Sequence, residues 1–145
     1  MRCPESEAGR SLEARARDLL SDLQRAGVGS RPVIFVGHSM GGLIIKQMLV
    51  QAGAGELELA RNTRGVLFYS TPHRGTQIAN MNSVFKYFFF PSVEVQELGL
   101  DSPALLELNS AFQQFVGQFQ TKVIRNLKPS YKNISSFIIT GITRG

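Results

Sequence analysis

Apolar positions along this chain alternate between two spacings. From Ser11 to Ala26, Leu12, Ala14, Ala16, Leu19, Leu20 and Leu23 recur at helical intervals among charged residues, which predicts an amphipathic helix. Gly27, Gly29 and Pro32 stop it. Val33 to Val36 is then a short β-branched run bounded by Pro and Gly, the pattern of a strand buried on both faces. From Gly41 to Ala52 the helical period returns through Leu43, Ile44, Met48 and Leu49, and Gly53-Ala54-Gly55 closes it. Gly65 to Ser70 predicts a second buried strand.

No single period holds between Thr71 and Leu100, where an aromatic cluster runs from Phe85 to Phe90 ahead of Pro91. Ser102-Pro103 then reads as an N-cap with proline in the first turn. Leu105, Leu108, Phe112, Phe115, Phe119 and Val123 continue it as an apolar stripe, predicting a second amphipathic helix to about Leu127. After Pro129, Phe137 to Thr140 predicts a third buried strand. Strand, helix and strand in this succession make a right-handed βαβ unit, so the expected class is α/β, with a parallel sheet of about three strands and flanking helices.

Length and charge narrow the reading. The 145 residues suit one domain, and an N-terminus without an apolar core, in a chain without a run of about 18 apolar residues, reads as soluble or peripheral. The net charge of +5 favours anionic partners, but its basic residues are scattered and no aromatic-interleaved basic stripe appears, so no nucleic-acid partner is expected. Cys3 is the only cysteine, which excludes an internal disulfide and any zinc site needing two thiolates. No metal or organic cofactor is implied.

The chemistry sits in Gly37-His38-Ser39-Met40-Gly41, which fits G-x-S-x-G. Alone the pentapeptide is weak, since chance would place it in about one such chain in ten. Its setting is what a nucleophile elbow requires: a strand before, a helix after, and a sharp turn between them that pushes the serine hydroxyl outward. Side chains at positions 37 and 41 are expected to collide with the neighbouring strand and helix, with Gly42 extending the clearance. The Met40 backbone N–H is then a candidate oxyanion donor, reinforced by the helix N-terminus. The alternative is a glycine-rich turn that binds an anion.

A serine needs a base and an orienting acid, which in this fold follow in the order Ser, acid, His. The chain has two histidines. His38 adjoins Ser39 and is expected to pack or hydrogen-bond beside the site as a candidate substrate contact; His73, in Thr71-Pro72-His73-Arg74-Gly75, is expected to line the site or touch substrate at the carboxyl edge of the sheet. Asp101 and the scattered glutamates read as surface charge. Beyond Phe137 to Thr140 only Gly141 to Gly145 follow, with no acid and no His.

The stretches "RAGVGSRPVIFVGHSMGGLIIKQML", "NTRGVLFYSTPHRGT" and "FFFPSVEVQELGLDSPALLELN" closely resemble the hydrolase domain of the serine active site containing protein family. These are lipase-like α/β-hydrolases related to the inositol-deacylase type. The likeness runs from about Cys3 to Ile139, and it makes residues 1–145 a partial α/β-hydrolase domain with its elbow at 37–41. The resemblance implies Ser39 as nucleophile and a phospholipid substrate or membrane surface as partner. It also implies remodelling of phosphatidylglycerol acyl chains, with effects on intracellular cholesterol, at contacts between mitochondria and the endoplasmic reticulum. The family's acid and His belong beyond the third strand, and its N-terminal targeting region has no counterpart here, so the expectation is a fragment or truncated form. In that light the cluster Phe85 to Phe90 is either a lid or acyl-chain wall, or the cover of the core beneath a long connection. The competing reading is a non-catalytic truncated product or a scaffold or interaction fragment.

Overall fold

The computed structural model describes residues 11–75 and 99–127. Helix α1 (Leu12–Arg25) starts where the Ser11 hydroxyl accepts a hydrogen bond from the Ala14 amide at 3.2 Å, with Glu13 in its first turn and Arg25 in its last, both favourable to the helix dipole. Strand β1 (Val33–His38) passes through Ser39 into α2 (Met40–Ala54), and a short α3 (Glu58–Asn62) leads into β2 (Thr63–Tyr69). Helix α4 (Pro103–Phe119) opens with the Ser102 hydroxyl accepting from the Leu105 amide, and strand β3 (Lys122–Leu127) follows. The three strands lie in the order β1-β2-β3, and both pairs are parallel. This is the α/β architecture that the alternating periods predict.

Register decides what each face of the sheet carries. Phe35, Val66 and Val123 are aligned across the three strands, with Gly37 beside Phe68 one step on. They pack, together with Ala16 and Leu20 of α1, Met48, Leu49 and Ala52 of α2, and Phe112 and Phe115 of α4, into the main core. Ala16 has no exposed surface, so α1 comes down close on α2. Phe112 meets Phe68 edge-on at 5.7 Å and stacks with Phe115 at 6.0 Å.

The opposite face does not match the expectation of strands buried on both sides. Val36, Leu67 and Ile124 form a row across the sheet, with Ile34, Gly65 and Lys122 behind it. Ile34 is 61%, Val36 67% and Ile124 40% exposed, although each is β-branched and apolar. All the helical residues of the main core meet the other face, and periodicity alone does not reveal which side of a strand a helix will cover.

The second helix is shorter than its stripe. Gln120 takes a left-handed conformation (φ 53°), its amide bonding back to the Val116 carbonyl, and the chain enters β3 two residues later. Val123, which continues the stripe by spacing, is therefore a strand residue aligned with Val66. Neither Gly nor Pro marks this stop, so the third described strand lies at 122–127, and the predicted strand at 137–140 falls outside the described residues, as does the cluster at 85–90. A non-glycine residue at positive φ is strained. Gln120→Gly is expected to raise stability by about 0.5–1 kcal/mol, read as a higher urea midpoint with an unchanged slope.

Candidate active site

The elbow forms because one peptide unit turns out of the sheet. The Ser39 amide still donates to the Tyr69 carbonyl at 2.9 Å, extending the ladder by one residue, and the Ser39 carbonyl already accepts from the Gly42 amide at 3.1 Å. Between these bonds Ser39 is held at φ 52°, ψ −130°, a region that disfavours side chains and stores about 1–3 kcal/mol of strain. Its hydroxyl caps no backbone amide of α2 and has no hydrogen-bond partner among the described residues. Met40 is the first residue of α2, and its side chain is buried. Its amide therefore belongs to the turn whose N–H groups have no partner within the helix.

The glycines divide the work differently from expectation. A Cβ on Gly37 would lie 2.6 Å from the Gly42 Cα, so β1 and α2 meet backbone to backbone there. A Cβ on Gly42 would lie 2.1 Å from Thr71 Oγ1, whereas one on Gly41 would meet nothing within 4 Å. The predicted collision at position 41 is corrected to position 42. Helix geometry explains it, because consecutive residues point about 100° apart and only Gly42 faces the loop after β2.

That loop reaches the elbow through a second strained serine. Ser70 has φ 48°, and Thr71 behind it is buried with its hydroxyl donating to the Gly37 carbonyl at 3.4 Å. Arg74 and Asp101 close the base of the loop by a two-pronged ion pair at 2.7 and 2.9 Å, and the Asp101 amide donates to the Arg74 carbonyl at 2.6 Å. Asp101 is surface charge, as expected, and its carboxylate is engaged there by Arg74.

Neither histidine is brought onto Ser39. The His38 ring lies against Tyr69, 5.3 Å between centroids, in the row that continues the exposed face. His73 comes from the expected loop, but its ring turns inward and meets Phe68 edge-on at 4.8 Å. Both its ring nitrogens are buried and without a hydrogen-bond partner. Burial, with the nearby charges of Lys46 and Arg125, lowers its pKa to about 4.

Three residues that sequence reasoning passed over complete the surroundings. Lys46 is 1% exposed, its Nζ 5.6 Å from the Phe68 ring centroid and 5.5 Å from that of Phe112, and it donates to Asn109 Oδ1. Burial first, and Arg125 second, lower its pKa to about 8. Asn109 Nδ2 in turn donates to the His73 carbonyl at 2.6 Å. A lysine inside the apolar run Leu43 to Val50 is the signal that could have found this cluster; Asn109 and Thr71 carry none. Among the described residues no group of His, Cys, Asp or Glu is placed to hold a metal ion, and no helix is long and apolar enough to cross a membrane. A groove of about 300 Å³ lined by Leu12, Gln47, Val50, Leu105 and Leu108 contains no elbow residue.

No protein-family profile matches the chain. It is similar to a segment of Protein SERAC1 in several vertebrates: 46% identical over 125 residues to that of Danio rerio, 43% over 139 to that of Mus musculus and 41% over 139 to that of Homo sapiens. These alignments cover 85%, 94% and 94% of the chain and 19%, 21% and 21% of the respective relatives. The chain thus spans about a fifth of the length of the curated relatives it matches. Among solved structures, a crystal structure of the Bacillus licheniformis lipase BlEst2 in mature form overlaps 79% of this chain and 46% of its own, with a TM-score of 0.42 and 22% identity.

Proposed function

We propose that this chain, as a relative of a segment of the SERAC1 proteins, is a lipase-like serine hydrolase domain with the partial α/β-hydrolase fold. In this reading Ser39 is the nucleophile and the Met40 amide one oxyanion donor. The observation that carries it is the conformation of Ser39: a strained serine whose hydroxyl has no hydrogen-bond partner among the described residues, between a parallel strand and a helix N-terminus. Attack would form a bond from Ser39 Oγ to the ester carbonyl carbon while a base takes the hydroxyl proton. The carbonyl oxygen becomes an oxyanion within reach of the Met40 N–H; collapse expels the alcohol, which receives that proton, and water then cleaves the acyl-enzyme. One such donor contributes about 2.7–4 kcal/mol to the transition state.

By resemblance, the ester is a phospholipid acyl ester presented at a membrane surface, phosphatidylglycerol in particular. The setting would be mitochondrial and endoplasmic reticulum contacts, with consequences for cholesterol handling. A second reading, a non-catalytic interaction fragment, is favoured by one specific arrangement: His73 is turned inward and Asp101 is held by Arg74, so no base and acid are assembled on Ser39 among the described residues.

A fluorophosphonate probe separates the two. Rapid labelling of the folded protein that disappears in Ser39→Ala is the expected result, and no labelling of the folded protein favours the interaction fragment. Release of fatty acid from phosphatidylglycerol vesicles but not from phosphatidylcholine vesicles would then support the lipid assignment.

A further inference from the structure

Lys46 follows Ser39 by two turns of the same helix, and its burial needs a reason. An ammonium carries three donors and no acceptor. Among the described residues only Asn109 Oδ1 accepts from it, and no carboxylate pairs with it; the faces of Phe68 and Phe112 supply the rest of its surroundings. Such cation–π contacts contribute about 0.5–2 kcal/mol each and do not restore full hydration. A Met or Leu at position 46 would fill the same space without that penalty.

What a Met or Leu would lack is direction. The Asn109 amide has a donor end and an acceptor end of nearly the same shape, so packing alone does not orient it. Lys46 only donates and therefore selects Oδ1. Nδ2 is left to face the His73 carbonyl, which only accepts, at 2.6 Å. The reversed amide would set donor against donor at Lys46 and oxygen against oxygen at His73. Three elements are joined in this way: α2, which begins at the elbow; α4, which carries Asn109; and the 71–75 loop, whose Thr71 packs on Gly42 and bonds to Gly37.

We propose that Lys46 is a positioning residue of the candidate site: by holding the Asn109 carbonyl it fixes the direction of the Asn109 N–H, which seats the His73 carbonyl, and with it the 71–75 loop, against the elbow. The proposal rests on reading the elbow as the functional site, and it assigns Lys46 no contact with substrate.

The test is amide hydrogen exchange on the full chain in two variants. Asn109→Asp keeps a partner for Lys46 but presents only oxygen to His73; Lys46→Met keeps the volume and removes the donor to Asn109. Each is expected to speed exchange of the His73, Gly75 and Asp101 amides about tenfold relative to those of Leu20, Leu49 and Val66, the effect of losing one buried hydrogen bond locally. Unchanged loop exchange in folded Asn109→Asp overturns the proposal. So does acceleration that is equal across loop and core, which would mean general stability only. If Lys46→Met does not fold, Asn109→Asp decides. Where the wild type reacts with fluorophosphonate, about tenfold slower labelling in the variants supports the link to Ser39, and unchanged labelling overturns it. Where the wild type does not label, the hydrolase reading fails, and exchange still decides whether Lys46 seats the loop.

Discussion

Gly42→Ala is expected to destabilise the protein by about 3 kcal/mol, at the upper end of what overpacking usually costs, while Gly41→Ala changes stability by no more than about 1 kcal/mol and in the favourable direction. The two glycines are adjacent and both lie in the first turn of α2, and the G-x-S-x-G motif singles out Gly41, not Gly42. Only at position 42 does the new methyl meet a group that cannot yield. It would fall 2.1 Å from Thr71 Oγ1 and 2.7 Å from Thr71 Cγ2, on a side chain already buried and bonded to the Gly37 carbonyl. Relief requires the 71–75 loop to lift or α2 to move off β1, and the second would open the close Gly37–Gly42 backbone packing. At position 41 nothing lies within 4 Å, and alanine is the better helix former. Thermal melts are the check: a fall of about 10 °C for Gly42→Ala against little change or a rise for Gly41→Ala. Equal losses at both positions would mean that the elbow is not packed as described.

The buried bases predict an unusual pH dependence. His73 has its pKa lowered from 6.5 to about 4, first by burial and then by the charges of Lys46 and Arg125. The unfolded chain thus binds more protons than the folded one between those values. Stability is fully retained above 6.5 and is lost as pH falls through about 4. The full shift corresponds to about 3 kcal/mol, and screening at a partly exposed ring reduces the expected loss to about 1–3 kcal/mol. Lys46, lowered from 10.5 to about 8 by burial and then Arg125, acts in the same direction at higher pH. Its penalty is complete below 8 and relieved as pH rises to 10.5, by up to about 3 kcal/mol. Urea titrations at a series of pH values are expected to show both rises. His73→Phe, which keeps a ring against Phe68, flattens the acid one, and Lys46→Met flattens the alkaline one. A stability profile level from pH 4 to 6.5 in the wild type would contradict the inward position of His73.

Much of this molecule is legible in local spacing. The helix at 12–25, the strand leading to Ser39, the helix after it and the strand at 63–69 follow from apolar residues recurring at the helical or strand period, and Ser102 marks the start of α4 as its cap. The strand–serine–helix order of the elbow is legible for the same reason, because it depends on residues adjacent in the chain. The end of α4 was not, since Gln120 takes a glycine-like conformation without being glycine, and Val123 satisfies the helical and the strand period at once.

What the sequence by itself determined is therefore the kind and order of these elements and the place of the serine corner, all matters of contact between near neighbours. Only the tertiary structure decided which sheet face the helices cover, that Gly42 rather than Gly41 is the crowded glycine, and that His73 points into the core beside a buried Lys46. The physical reason is that each depends on groups far apart in the chain, such as Gly42 with Thr71 and Lys46 with Asn109, whose approach is set by the packing of whole elements and not by any local pattern.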